Sequence, residues 1–193
     1  MEAHEEAVEA GHERGNKQIA LLISVLALFL AFSEALGKNA QTSTLRYNGD
    51  ASDTWAFYQS RNVRSTVVST QKEVLAIDLE QQTDPARKQA IAKQIDEWDN
   101  RLNRWESDPQ KREGMKELAE KAKRLEALRD LANERYHNFE FASGALQIGI
   151  VLASASIITG IALLTWVSGA LGVVGMLFIA IGLFAPATIQ AVL

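Results

Sequence analysis

The chain of 193 residues contains no cysteine, only three prolines and no excess of basic residues. Without cysteine it can form neither a disulfide framework nor a catalytic thiolate, and it suits either side of a membrane equally well. The formal net charge is −4, and no basic stripe that could neutralise a phosphate backbone is present. Nucleic acid is therefore not an expected partner.

The most extensive absence is that of charge, because residues 141–193 hold no Asp, Glu, Lys or Arg. As a helix this stretch would be roughly 80 Å long at about 1.5 Å per residue, whereas the apolar core of a bilayer is about 30 Å thick. We therefore expect two transmembrane helices, at 143–166 and 169–190. A third apolar run covers 18–36 and contains a single ionisable residue, Glu34.

The first apolar run is interpreted as a retained transmembrane helix rather than a signal peptide. It is long for a signal-peptide core, its flank is acidic, and no small-x-small cleavage pattern follows it cleanly. The segments outside the three spans are an acidic polar tail, 1–17, and a connection, 37–142, that holds 18 basic and 18 acidic residues. The predicted fold class is an all-α integral membrane protein with three spans and a long extramembrane helical hairpin.

Turn and capping signals divide the connection into helices. The sequence Asn48-Gly49-Asp50 predicts a break, after which Ser52 or Asp53 can cap a helix that runs to about Gln82. We expect the hairpin turn near Thr83-Asp84, because a chain that leaves the membrane after the first span must return for the second.

Two proline motifs predict helix starts on the returning side of the hairpin. Asp84-Pro85 and Asp108-Pro109 each combine a capping carboxylate with a proline, which is tolerated at the first helical position. We therefore expect one returning arm with a kink at Pro109.

Apolar residues in the connection recur at the alternating spacings of 4 and 3 that are typical of coiled coils. The first series is Val63, Val67, Thr70, Val74 and Ile77, and the second is Ile91, Ile95, Trp98, Leu102 and Trp105. A similar stripe follows after Pro109. We interpret each series as the buried face of a solvated helix, so that the connection forms a coiled-coil-like stalk.

Small residues follow the same rhythm in the last two spans. They are Gly149, Ala153, Ser156 and Gly160 in one helix, and Ser168, Gly172, Gly175 and Gly182 in the other. Membrane helices gain much of their attraction from close backbone approach along such faces, so we expect the two stripes to face each other. The tight turn is expected at Trp166-Val167-Ser168-Gly169. The alternative is that one stripe mediates contact between protomers, and a homo-oligomer is expected because much span surface is left unpaired.

Two sets of ionisable residues are candidate sites. Glu34 lies near one end of its span, where it can either reach the headgroups or form a ring that attracts cations around an oligomer axis. His4 and His12 share a helical face, but eight residues of separation is too far for joint chelation within one short helix. No metal site and no cofactor are predicted.

The densest aromatic cluster comprises Trp55, Phe57 and Tyr58, with Arg64 shortly after it. It can be a packing plug at the base of the stalk or a docking patch for another protein. The sequence contains no glycine-rich phosphate loop, nucleophile elbow, zinc-spaced cluster or paired buried carboxylates. No catalytic residue is assigned, and we do not expect an enzyme.

Several features together resemble a known family. An acidic tail with histidines, a first span, the run Trp55-Ala56-Phe57-Tyr58-Gln59 with Arg64 after it, a charged helical stretch and a terminal two-span hairpin are similar to an uncharacterised family of small bacterial membrane proteins. That family is defined only as a domain of unknown function. The resemblance covers nearly the whole chain and implies a bacterial inner membrane and no known activity.

Orientation and function follow as hypotheses. The few charges flanking the first span favour, by a small margin, a cytoplasmic N-terminus with a periplasmic stalk. Relatives that carry basic residues in the last hairpin turn would support this, but 166–169 has none. The leading hypothesis is a non-enzymatic oligomeric scaffold or adaptor whose partners are the lipid bilayer, copies of itself and a larger membrane complex. The alternative is an ion-conducting oligomer with Glu34 near the pore.

Overall fold

The computed structural model describes the backbone of residues 2–186 and the side chains of residues 15–186. This part of the chain forms four α-helices and no strand: α1 (Glu2–Gln81), α2 (Pro85–Glu106), α3 (Met115–Thr159) and α4 (Ala162–Phe184). The predicted all-α class is confirmed. Three helices, α1, α3 and α4, contain segments long and apolar enough to cross a membrane.

Some sequence predictions fall outside this range. The side chains of His4 and His12, in the predicted tail 1–17, lie outside the described residues, as does the end of the predicted span 169–190.

The chain forms two compact units. Unit 1 comprises Met1–Thr44 and Asp130–Leu193, and unit 2 comprises Leu45–Arg129. The charged unit is thus shorter at both ends than the predicted connection, 37–142. The reason is that residues at the margins of the connection, such as Ala40 and Phe139, are buried in the apolar core of unit 1.

Unit 1 is a packed bundle of the apolar parts of α1, α3 and α4. Its buried core is formed by residues from all three helices: Leu26, Ala40, Phe139, Ala142, Leu146 and Ile179. Large apolar side chains also cover its outer surface, among them Leu28 at 69% exposure and Val151 at 66%. A bundle that is apolar inside and outside suits an apolar surrounding medium.

The predicted break at Asn48-Gly49-Asp50 is wrong, because these residues lie inside α1. A glycine in a helix interior costs about 1 kcal/mol relative to alanine. Nearby packing offsets that cost, since Ala51 and Thr54 are buried within unit 2. Tertiary contacts therefore override a local turn signal.

The predicted hairpin turn and the start of α2 are confirmed. α1 ends at Gln81 and α2 begins at Pro85. The side chain of Asp84 accepts a hydrogen bond from the backbone N–H of Ala86 at 3.0 Å, and Pro85 occupies the first helical position. Both features are those expected of a helix N-terminus.

The predicted helix start at Asp108-Pro109 is wrong, because α2 ends at Glu106 and α3 begins only at Met115. The carboxylate of Asp108 accepts a hydrogen bond from the backbone N–H of Lys111, but this turn does not continue as a helix. Arg112 has a positive φ of 55°, which interrupts right-handed helix formation. The returning arm is therefore two helices joined by a loop, 107–114, rather than one kinked helix.

Glu117 secures this loop from the first turn of α3. Its carboxylate accepts a hydrogen bond from Ser107 Oγ at 2.6 Å and another from the backbone N–H of Asp108 at 3.1 Å. These bonds stabilise the charged form and hold the pKa of Glu117 below its ordinary value. Next to it, a hydrogen bond from Lys116 to Glu106 raises the pKa of the lysine.

The turn between the last two helices also differs from the prediction. α3 ends at Thr159 and α4 begins at Ala162, so Trp166 and Gly169, where the turn was expected, lie inside α4. Gly160 supplies the turn with a φ of +68°, in the left-handed region that favours glycine. The transmembrane helices predicted at 143–166 and 169–190 accordingly have their boundary shifted toward the N-terminus.

Candidate functional site

The small-residue face of α4 lies against α3 at Gly175. A Cβ atom placed on Gly175 would lie 2.7 Å from Leu146 Cγ and 3.2 Å from the carbonyl oxygen of Ala142. Real Cβ atoms essentially never approach another atom to within 3.0 Å. The position therefore requires glycine for the two helices to pack at this distance.

Leu26 of α1 inserts its side chain between the other two helices. A Cβ on Gly172 of α4 would lie 2.6 Å from Leu26 Cδ2, and a Cβ on Gly149 of α3 would lie 3.4 Å from Leu26 Cδ1. Gly149 also lies close to the backbone of α4, with 3.3 Å between its ideal Cβ and the carbonyl oxygen of Ser168. Small residues thus provide a recess for α1 as well as a contact between α3 and α4.

At the other end of the bundle, Phe139 fills the space beside Gly182. A Cβ on Gly182 would lie 2.8 Å from Phe139 Cε1. The backbone carbonyl of Phe139 accepts a hydrogen bond from Ser33 Oγ at 2.9 Å, and both residues are buried. One residue of α3 therefore connects α4 through its ring and α1 through its carbonyl group.

Most members of the two small-residue stripes are buried. Seven of the eight small residues are buried: Gly149, Ala153, Ser156, Ser168, Gly172, Gly175 and Gly182. Gly160 is the exception, since it is exposed and a Cβ on it would have nothing within 4 Å. Its role in the structure is to end α3 rather than to pack against α4.

Ser156 links the α3–α4 turn to both helices. Its Oγ donates to the carbonyl oxygen of Ile161 at 3.1 Å and lies 2.7 Å from Thr165 Oγ1. Two other hydroxyl groups of α3 are bonded to their own helix, because Ser154 donates to Ile150 O and Thr159 donates to Ala155 O.

Glu34 has a partner that sequence reasoning missed. Gln147 Nε2 donates a hydrogen bond to Glu34 Oε1 at 3.3 Å, and both side chains are exposed on the surface of unit 1. Gln147 is the one amide side chain between Phe141 and Thr159. That isolation in an apolar run was a signal that could have identified it, because polar side chains within apolar helices tend to bond to another helix.

The aromatic cluster is divided between packing and exposure. Trp55 Nε1 donates to Glu126 Oε1 of α3 at 2.8 Å, and the Trp55 and Tyr58 rings meet edge to face at 5.4 Å. Phe57 is 42% exposed, with the guanidinium of Arg61 lying 5.1 Å from its ring centroid. Trp55 and Tyr58 are thus partly buried by packing within unit 2, while Phe57 contributes to its surface.

The first apolar series of the connection, which we call the α1 seam, faces outward. It consists of Val63, Val67, Thr70, Val74 and Ile77, and its four aliphatic members are 57–62% exposed. The prediction that this face is buried in the hairpin is wrong. The rest of unit 2 contacts another face of α1, where Lys72 pairs with Asp99 of α2 and Arg61 pairs with Glu113 of the loop 107–114.

Arg64, which follows the aromatic cluster in the sequence, is exposed and lies beside the α1 seam. By contrast, the second apolar series lies on a covered face of α2, with Ile91 buried and its other members partly buried. The α1 seam is therefore the one predicted helical seam that the described part of unit 2 leaves open.

Comparison with protein-family models identifies the family of this chain. The model of the family described as Domain of unknown function (DUF4337) matches residues 15–185, and the chain belongs to that family. The resemblance to an uncharacterised family is thereby confirmed. Neither a curated protein nor a solved structure matches the chain.

Proposed function

We propose that this chain, whose family has no assigned function, is a non-enzymatic membrane scaffold that assembles with copies of itself or within a larger membrane complex. In this proposal unit 1 is inserted in lipid and unit 2 is the assembling part. The observation that carries the proposal is the α1 seam, an apolar helical face left exposed on a unit that is otherwise charged.

The apolar surface of unit 1 supports the anchoring role. Bilayers accept helices whose backbone groups are bonded internally and whose outer side chains are apolar. The small residues between α1, α3 and α4 allow close packing that needs no hydrophobic drive. Unit 1 thus has the composition of an anchor and offers few polar groups for chemistry.

The mass of the purified particle tests the proposal. Light scattering of the detergent-solubilised chain, corrected for bound detergent, should give a multiple of 21.2 kDa or the mass of a defined complex. A strict monomer without a co-purifying partner at every concentration would contradict a scaffold.

We further propose the bacterial inner membrane as the location, with the N-terminus in the cytoplasm and unit 2 in the periplasm. Because the chain has no cysteine, Glu80→Cys provides a unique label on exposed α1 surface. A maleimide that enters the periplasm but cannot cross the inner membrane should label this variant in intact cells. Labelling only after cell lysis would indicate the opposite orientation, with unit 2 in the cytoplasm.

A second candidate function, an ion-conducting oligomer, is favoured by the exposed pair of Glu34 and Gln147. A carboxylate and an amide at a shared surface could attract cations if several copies surround an axis. Planar-bilayer recordings on the wild type and on Glu34→Gln should then reveal a conductance that the substitution alters. If no conductance is observed, or if Glu34→Gln leaves the conductance unchanged, the hypothesis of an ion-conducting oligomer is refuted.

A further inference from the structure

We infer that the α1 seam binds a helix of a different protein, one whose apolar heptad face is flanked by lysine or arginine residues. This inference rests on the proposed scaffold function and names the class of partner that the seam takes. The seam is exposed because the rest of unit 2 contacts another face of α1, where Arg61 and Lys72 form their ion pairs. Within the described residues, nothing covers its four aliphatic side chains.

The spacing of the seam indicates that its occupant is a helix. Spacings of 4, 3, 4 and 3 keep the five residues in line against a partner helix with the same repeat, where each side chain enters a hole between four others. A lipid surface is a poorer match. Helices that lie on membranes carry Lys and Arg on their polar face, whereas the C-terminal half of this face is flanked by Glu73, Asp78 and Glu80.

The seam of a second copy does not fit this surface. α1 is one continuous helix, Glu2–Gln81, that carries both the apolar run 18–36 and the seam. Copies inserted in one membrane in the same orientation therefore run their α1 helices in the same direction. In such a parallel pair, Glu73 of each copy would lie beside Asp78 of the other, and like charges at these flanking positions disfavour pairing.

The other surfaces of unit 2 offer no better contact to the seam of a second copy. Among the described residues of unit 2, the large apolar side chains that are exposed outside the seam are Leu45, Phe57 and Leu128. Their positions in the sequence do not form a heptad series. The remaining exposed apolar surface belongs to unit 1, which the proposed function assigns to lipid. A matching heptad face must therefore come from another protein.

The charges beside the seam specify the flanks of the partner helix. When the members of the seam are taken as the a and d positions, Glu73 and Glu80 lie on one flank, whereas Arg64 and Asp78 lie on the other. Charges at such positions set the choice of partner in paired helices. The three carboxylates thus favour lysine or arginine opposite the C-terminal half of the seam, and Arg64 favours an acidic residue opposite its N-terminal half.

The length of the seam sets the expected strength of the contact. Residues 63–77 span roughly 21 Å of helix, or about two heptads. Such a contact is short for a stable independent interface. We therefore expect an association that depends on the flanking charges, weakens as the salt concentration rises, and adds to other contacts in the assembly.

Two synthetic helical peptides of about four heptads test the inference on the full-length chain in nonionic detergent. Both carry isoleucine at a and leucine at d, and the e and g positions are all lysine in one peptide and all glutamate in the other, so that neither pairs with itself. Fluorescence anisotropy should show that the lysine peptide binds about tenfold more tightly, because three attractive contacts replace three repulsive ones. Equal binding, tighter binding of the glutamate peptide, or binding of neither would overturn the inference.

Variants of the chain locate the bound peptide. Glu73→Lys/Glu80→Lys should reverse the preference in favour of the glutamate peptide. Val67→Gln should weaken binding of the lysine peptide about tenfold, because the complex would bury an amide group without a partner. Since Val67 is 57% exposed, this substitution should not unfold the single chain. The matched control Ala92→Gln changes an exposed position of α2 and should leave binding unchanged.

If Val67→Gln binds the lysine peptide as tightly as the wild type does, the peptide lies elsewhere and the inference is wrong. The same conclusion follows if Glu73→Lys/Glu80→Lys keeps the wild-type preference.

Photo-cross-linking tests the inference in cells that naturally produce the chain. A benzophenone amino acid in place of Val67 should form an adduct with a segment of another protein. Mass spectrometry of this segment should show apolar residues at heptad spacing with lysine or arginine at the flanking positions. An adduct with any other segment, with a second copy of this chain or with lipid alone would contradict the inference, as would the absence of an adduct.

The mass of the purified particle separates failure of this inference from failure of the scaffold. If the wild type has the mass of an oligomer or a defined complex but the seam fails these tests, the inference is wrong and the proposed scaffold stands. A strict monomer without a co-purifying partner would contradict the scaffold itself.

Discussion

Replacing Gly175 with leucine should separate α3 from α4. The first atom of the new side chain would lie 2.7 Å from Leu146 Cγ and 3.2 Å from the backbone oxygen of Ala142. Leu146 could shift by changing rotamer, but the backbone could move only with the helix. Overpacking of this kind costs about 1–3 kcal/mol, and we expect the upper end because the backbone is involved.

A gain in helix propensity partly offsets this cost. Leucine is favoured over glycine in a helix interior by about 0.8 kcal/mol, so the net loss in the free energy of unfolding should be about 2 kcal/mol. For a protein of this length, that corresponds to a fall of roughly 4–8 °C in Tm. Thermal unfolding in detergent, followed by circular dichroism, measures the change.

The matched control for this experiment is Gly169→Leu in the same helix. A Cβ on Gly169 would have nothing within 4 Å, so this variant receives the propensity gain without the clash. Its Tm should equal or exceed that of the wild type. If Gly175→Leu is as stable as Gly169→Leu, the close packing of α3 on α4 is refuted.

Three further predictions concern unit 2 and the α3–α4 turn. Trp55→Phe removes the hydrogen bond to Glu126 and should lower the free energy of unfolding by about 1 kcal/mol, whereas an unchanged Tm would mean that the bond contributes nothing. Gly160→Ala should lower the free energy of unfolding by about 1–2 kcal/mol because of the positive φ at this position. The control Gly144→Ala should not be destabilising, because Gly144 is helical and a Cβ on it would have nothing within 4 Å. The pKa of Glu117 is lowered in the folded state. Its stabilisation of the loop 107–114 is therefore fully present above the ordinary pKa of 4.5 and is lost as the pH falls through the lower, folded-state pKa. Pepsin cleavage in the loop 107–114 should therefore increase as the pH falls below about 4.5, and Glu117→Gln should weaken that dependence on pH.

The sequence predicted the features that depend on residue type and spacing. Seven of the eight small residues that the spacing identified are buried, since lack of side-chain volume is readable directly from the sequence. The start of α2 could also be predicted, because the helix-capping effects of Asp84 and Pro85 depend only on residues next to them in the sequence.

Other features depended on competition between local signals and distant contacts. The turn was predicted at 166–169 and Gly160 was assigned to the helix-packing stripe, whereas Gly160 forms the turn and Ser168 is buried inside the bundle. Likewise, Gly49 could remain helical because its neighbours Ala51 and Thr54 are buried. Single-residue propensities carry no information about such contacts.

The orientation of α1 in unit 2 was the most consequential error. Its apolar series predicted a buried face, but α1 carries a second usable face that includes Trp55 and Tyr58. Periodicity identifies a face that can be buried without identifying what covers it. The partner Gln147 of Glu34 was missed for a related reason, because a contact between two helices depends on how they are placed together.

Insertion of unit 1 in lipid is the central claim, and solvent accessibility at Val151 tests it most directly. Val151 is 66% exposed on the surface of the bundle, so no part of the single chain shields it from the surrounding medium. A single Val151→Cys variant in liposomes should not react with a water-soluble maleimide, whereas Glu80→Cys on exposed α1 surface should react at once in liposomes that present unit 2 outward. Equal labelling of the two positions would place the apolar bundle in water and contradict the account.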